Sequence, residues 1–264
     1  MGSNIDYSAS LEKCEWADSK LHDLHSKLLR WFHESDRSIV TKEDGDVLHV
    51  VAQLSLPIPK TVAMETVEIA GHLRSALDKL LVAVVESNGR GSSGVGFPFG
   101  GMGEDGKAEP FPSARQDRLK KKLTPEQWAL ILAQKPYPGG NDALWALNEI
   151  ANQDKHRKDL VAVGTFGRPR QIRAIGHDER ATYVLSVGTP DPVPSCCDQK
   201  RECIMFSLGI GEGTSLPEIK IEPPITTSVV FGNVRGLTGK DVVGTLHKQL
   251  TLTQRIIELF KSPL

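Results

Sequence analysis

Residues 144–160 read LWALNEIANQDKHRKDL, and the fold turns on them. Leu144, Leu147, Ile150 and Ala151 recur at the three- and four-residue spacing of one helical face. That stripe runs into the polar string Asn152, Gln153, Asp154, Lys155, His156, Arg157. Beyond Leu160 the texture changes. LVAVGTF, QIRAI, ATYVLSVG, CIMFSLGI, EIKIE and TSVVF are short β-like runs separated by Gly, Pro, Asp and Asn. A chain that is helical before such a junction and stranded after it belongs to the α+β class.

Residues 8–35 place Leu11, Cys14, Ala17, Leu21, Leu24, Leu28 and Trp31 on one helical stripe, with Ser8 or Ser10 as N-cap. His22, His25 and His33 fall off the stripe and read as surface groups. Period two over 37–56, with Asp44-Gly45 between the halves, predicts a β-hairpin. Residues 61–86 return to helical spacing through Val62, Ile69, Leu73, Ala76, Leu77, Leu80 and Val84. Arg74 and Asp78 sit on the flank of that stripe, four apart, where they can pair. The glycine- and proline-rich stretch 87–113 is a long loop anchored by Phe97-Pro98-Phe99. Its GVGFPFGG lacks the Lys-Ser/Thr ending of a phosphate-binding loop. RQDRLKKK at 115–122 reads as a solvated helix start or connector, with a phosphate-contact patch as the sharper alternative. Thr124 and Pro125 open a short helix over 124–134, KPYPGG breaks it, and Asn141 or Asp142 caps the next, over 142–158.

The expected architecture is therefore a bundle of about five helices packed with a mainly antiparallel sheet. The helices are 8–35, 61–86, 124–134, 142–158 and 242–260, and the strands come from 37–56 and 160–231. The last helix can return to the bundle, so residues 1–264 are expected to form one domain. Within it, 8–158 is mainly helical, 160–231 is β-rich, and 242–260 closes the chain.

With 264 residues, 39% hydrophobic and 25% charged, the sequence has the composition of a globular protein. A formal net charge of −1 excludes a global basic field, so any nucleic-acid surface must be a local patch. No apolar run approaches a membrane span and no signal pattern opens the chain, so a cytoplasmic location without membrane attachment is expected. Cys14, Cys196, Cys197 and Cys203 lack paired CxxC spacing. Free thiols fit better than zinc, which would need a histidine such as His177.

The polar string carries the chemistry. Continuing the helical wheel turns Asp154 toward the core, a costly place for an unpaired carboxylate. Asp78 and Asp154 with Arg74 and Arg157 then form an inter-helix ion-pair lock. The alternative is a cleft in which Arg74, Asn152, Lys155 and Arg157 bind an anion such as a nucleotide or an RNA segment. A third reading is a metal-independent hydrolase, most plausibly a nuclease, with His156 as general acid/base. Asp154 and His156 lie two apart on a helix, poor chelate geometry, so neither a metal nor another cofactor is expected.

HLRSALDKL at 72–80, FPF at 97–99, LTPEQWALILAQKPYPGG at 123–140 and LNEIANQDKHR at 147–157 follow one another in a recognisable order. Together they resemble a group of uncharacterised bacterial proteins with the pattern LHNLRSALDH … FPI … QPY … LxxLxNxDKHR. This chain departs at Lys79, where the pattern has His, and at Lys135, which interrupts Gln-Pro-Tyr. The resemblance implies a family and no activity. A weaker resemblance is to the helical HEPN ribonucleases, whose Arg-x4–6-His signature is absent at His156, with no arginine at the required distance upstream of it.

Overall fold

The computed structural model describes residues 5–45, 47–102, 108–109, 113–152, 160–166, 171–175, 182–185, 202–209, 218–222, 226–232 and 234–261. In chain order these form α1 (Ser8–Glu34), β1 (Arg37–Asp44), β2 (Val47–Leu54), α2 (Thr61–Ser87), β3 (Gly101–Met102), β4 (Ala108–Glu109), α3 (Ser113–Lys120), α4 (Pro125–Gln134) and α5 (Asp142–Ala151). Then follow β5 (Val161–Phe166), β6 (Gln171–Ile175), β7 (Thr182–Leu185), β8 (Glu202–Gly209), β9 (Glu218–Glu222), β10 (Thr226–Phe231) and α6 (Val242–Lys261). The protein is α+β, with a helical bundle and antiparallel strands.

The bundle is built on α2, which is apolar around much of its circumference. Val62, Ile69, Leu73, Ala76, Leu77, Leu80, Leu81, Val84 and Val85 are all fully buried. A helix so covered has neighbours on several sides, and α1, α5 and α6 all pack on it. The stripe from Cys14 to Trp31 on α1 is buried as its spacing predicts. Expected capping by Ser8 or Ser10 is corrected. The Ser8 N–H donates to Asp6 Oδ1 at 2.9 Å, holding that carboxyl below its ordinary range. Ser10 is buried, and its hydroxyl donates to Ala76 O at 2.6 Å, stitching α1 to α2. Tyr7 donates to Phe260 O at 2.6 Å, so the start of α1 meets the end of α6.

Strand positions were legible, but strand partners were not. In place of one sheet, the described strands form separate small antiparallel sheets with orders β1-β2-β8, β10-β5, β3-β4 and β7-β6-β9. β8 joins the N-terminal hairpin, pairing Val47 with Gly209 and Gln53 with Glu202, with a register shift between Val50 and Val51. Alternation fixes which face of a strand is apolar, not which distant strand lies beside it. The loop expected over 87–113 holds both strands of a short ladder, β3 and β4. Its Phe97 and Phe99 are buried as the expected anchor, ring centroids 5.2 Å apart. The basic run at 115–122 is α3 and the turn after it, with Leu119 buried.

Candidate functional site

α5 carries a polar cluster at each end, and its ten residues put them about 15 Å apart. At the C-terminal end the helix closes at Ala151. Asn152 is its C-cap, donating its backbone N–H to Asn148 O at 3.0 Å. The periodicity predicts a helix to 158. Residues 153–159, and with them Asp154, Lys155, His156 and Arg157, lie outside the described residues. The wheel that turned Asp154 inward therefore extrapolates past the described end of α5. His177, Cys196 and Cys197 also lie outside.

Arg74 and Asn152 do meet. Arg74 Nη1 donates to Asn152 Oδ1, and the guanidinium carbon stands 6.0 Å from the centre of the Phe99 ring. Asp78 accepts the backbone N–H of Phe97 at 2.7 Å. The helical spacing suggested that Arg74 and Asp78 would pair with each other. Instead one reaches across to α5 and the other down to the 97–99 loop. Both are half-buried, and each ties a neighbouring segment to α2. A helix C-terminus carries partial negative charge, so a guanidinium there is favourably placed without a ligand.

The N-terminal end is different. α4 begins with a capping box. Gln127 N–H donates to Thr124 Oγ1 at 3.3 Å, and Thr124 N–H to Gln127 Oε1 at 3.0 Å. It ends at Lys135, whose φ of 48° is left-handed, the conformation a helix C-terminus ordinarily gives to glycine. Lys135 O then accepts from Tyr137 N and from Asn141 N, both at 2.7 Å. This tight double turn swings the chain from α4 into α5, and Asn141 Oδ1 caps α5 by accepting from Leu144 N at 3.2 Å. Gly140 is required inside it, because a Cβ there would stand 2.6 Å from Lys135 O.

From the other side, β10 runs into a turn that doubles back on Phe231. Phe231 N donates to Lys240 O at 2.9 Å and Gly239 N to Phe231 O at 2.8 Å. Asp241 follows and caps α6, its Oδ2 accepting from Gly244 N at 2.6 Å. These turns bring Lys135, Lys240 and Lys248 to the wall of one open cleft of about 570 Å³. Gln134, Asn141, Asp142 and Thr245 add polar side chains to its lining. Asp142 Oδ1 is engaged by the Gly139 N–H at 2.9 Å. Among the described residues none of the three lysines makes an ion pair, and all three are exposed. Asp142 and Ala143, whose N–H groups have no acceptor within the helix, are among the residues of this wall.

Sequence reading missed this cleft because its cations lie up to 113 residues apart in the chain and meet only in the fold. One signal was present. A lysine just after a helix, before Pro-Tyr-Pro-Gly-Gly, stands where glycine is the ordinary choice. The basic run 115–122 is not gathered here. Lys122 Nζ instead donates to Gly91 O at 2.6 Å and Ser93 O at 3.1 Å, clamping the loop after α2. Among the described residues no three His, Cys, Asp or Glu side chains gather as metal ligands would, and no helix is long and apolar enough to cross a membrane. No family model, curated protein or solved structure matches this chain.

Proposed function

We propose that this protein binds an anionic, phosphate-bearing ligand, and that the cleft at the N-terminal end of α5 is where the geometry best supports it. The observation that carries the reading is the convergence of Lys135, Lys240 and Lys248, from three different segments, on the positive pole of a helix. Three ammonium groups against the single carboxylate of Asp142 leave the wall with a net positive charge that an entering anion would offset. In water a contact between unit charges is worth about 1 kcal/mol, and a helix N-terminus adds about 0.3–1 kcal/mol. One lysine with the helix pole gives about 1–2 kcal/mol, and each further lysine within reach of the anion adds about 1 kcal/mol.

The opposite end of α5 supports a second reading for its own residues, that of a lock. Arg74 with Asn152 and Asp78 with Phe97 join three segments through partners already present. Titration calorimetry with inorganic phosphate separates the two ends. The expected result is binding that disappears in a Lys240→Glu, Lys248→Glu variant and survives in Arg74→Ala. Binding lost in Arg74→Ala but retained in the charge-reversed protein would move the anion site to the Asn152 end, where Lys155 and Arg157 follow.

A further inference from the structure

We infer that β1 is a self-association strand, through which two copies of this chain pair edge to edge about a two-fold axis. This is independent of the lysine cleft. β1 lies at the edge of its sheet, in the order β1-β2-β8, and among the described residues no strand pairs with its outer side. Its eight residues match β2 one for one, from Arg37 with Leu54 to Asp44 with Val47, without a bulge. A regular edge of this length presents unpaired backbone groups along about 27 Å. Folded proteins ordinarily blunt such an edge with proline, a bulge or several lysines. β1 has no proline, no bulge and the single lysine Lys42.

The hairpin fixes which backbone groups face outward. Ser55 N donates to Asp36 O at 3.0 Å, one step before the pair Arg37 and Leu54 in the same register. Antiparallel pairs alternate between exchanging hydrogen bonds and turning them away. Ser38, Val40, Lys42 and Asp44 therefore direct their backbone groups to β2, and Arg37, Ile39, Thr41 and Glu43 direct theirs to the free edge. A second strand bonds there only if its own outward residues stand opposite. An antiparallel copy of β1 achieves this in the register centred on Val40. That register sets Arg37 opposite Glu43 of the second copy, Ile39 opposite Thr41, and Val40 opposite Val40 on the two-fold axis. Val40 is half-buried in the single chain, so the contact covers apolar surface that is still open. The charge order of the strand selects the occupant. RSIVTKED starts with a cation and ends with two carboxylates. An antiparallel copy brings Arg37 to Glu43 at both ends, so the favourable pair occurs twice. Asp44 opposite Asp36 of the second copy is the one like-charged pair, at the outermost ends, with Lys42 two residues inward.

Sedimentation velocity on the full chain across protein concentration tests the pairing. The mass is expected to rise from 28.9 kDa toward twice that value. One strand from each copy makes a small interface, so the dimer is weak and exchanges. Reversing either charge, Arg37→Glu or Glu43→Arg, is expected to weaken association about fivefold or more, since each reversal acts at both ends. Mixing the two variants is expected to restore it, because their ends then complement each other. Thr41→Pro removes an outward N–H and no bond to β2, and is expected to abolish association with little change in melting temperature. If proline unfolds the hairpin, the charge variants still decide. The backbone amides of Ile39, Thr41 and Glu43 are expected to exchange fast with solvent in dilute protein and to slow as concentration rises. A mass of 28.9 kDa at every concentration overturns the inference. So does slow exchange of these amides in dilute protein, which would mean that another part of the same chain covers β1. Association that survives the substitutions, or is not regained on mixing, overturns the pairing through β1.

Discussion

Replacing Lys135 with glycine pulls apart the two things this residue does. Its backbone lies at φ 48° and ψ 52°, the left-handed region. For a residue with a Cβ that conformation costs about 1–2 kcal/mol. Glycine adopts it without strain but brings about 0.5–1 kcal/mol of extra chain entropy to the unfolded state. The difference leaves Lys135→Gly more stable than the parent by about 0.5–1 kcal/mol, a rise in melting temperature of about 1–4 °C for a chain of this size. The side chain is exposed and makes no ion pair among the described residues, so its loss subtracts nothing from that gain. Phosphate affinity should move the other way, by about 1 kcal/mol or fivefold in Kd, because one of three cations is gone. Lys135→Ala is the necessary companion. It removes the same charge and keeps the strained backbone, so it should weaken binding equally with no rise in melting temperature. Differential scanning calorimetry and phosphate titration on the three proteins test the pair of effects. Equal stability of the glycine and alanine variants would refute the strain argument. Unchanged affinity in both would refute a binding role for Lys135.

Further expectations follow from neighbouring geometry. Gly139 and Gly236 have nearly equal φ, 76° and 75°, but a Cβ on Gly139 meets nothing within 4 Å whereas one on Gly236 meets Trp145 Cζ3 at 2.8 Å. Alanine at 139 should therefore cost about 1–2 kcal/mol of backbone strain, and alanine at 236 about 1–3 kcal/mol more from overpacking, measured by denaturant unfolding. In a double-mutant cycle, Arg74→Ala and Asn152→Ala should show a coupling of about 0.5–1 kcal/mol in stability, the discount from a buried charged hydrogen bond reflecting their exposure. A coupling of zero would reduce that contact to an accident of packing. Burial pushes the Cys14 thiol up to about 11 from 9.0. It should resist alkylation at pH 8 in the native protein and react on unfolding, as read by peptide mass spectrometry. Its linkage has a definite sign. The raised value stabilises the fold fully below pH 9 and is lost as pH rises toward 11.

What the sequence revealed and what it withheld have the same cause. The stripe Cys14, Ala17, Leu21, Leu24, Leu28, Trp31 and its counterpart on α2 are properties of consecutive residues, and both are buried where spacing put them. Thr124 and Asn141 as N-caps are equally local, and both cap. Ser10 looked like a cap by the same logic, but its partner Ala76 O lies 66 residues on, and no local rule reaches that far. The pairing of β2 with β8 is hidden for the same reason. So is the lysine cleft, whose members are unremarkable singly. Conversely, Asn152 to Arg157 was conspicuous because six polar side chains are adjacent in the chain. Of these, only Asn152 lies among the described residues.

The two ends of α5 show how a helix sorts charge. Its N-terminal pole is electropositive and its C-terminal pole electronegative. A cation at the C-terminal pole satisfies the helix, and Arg74 reaching Asn152 does that. Cations at the N-terminal pole oppose it, and the cleft there is lined by Lys135, Lys240 and Lys248 against the single carboxylate of Asp142. Folding alone supplies no reason to gather them there, and for Lys135 the backbone strain is an additional cost. A strained lysine at the mouth of such a cleft, in a chain whose other described positive-φ residues are all glycine, is the pattern expected where a ligand completes the electrostatics.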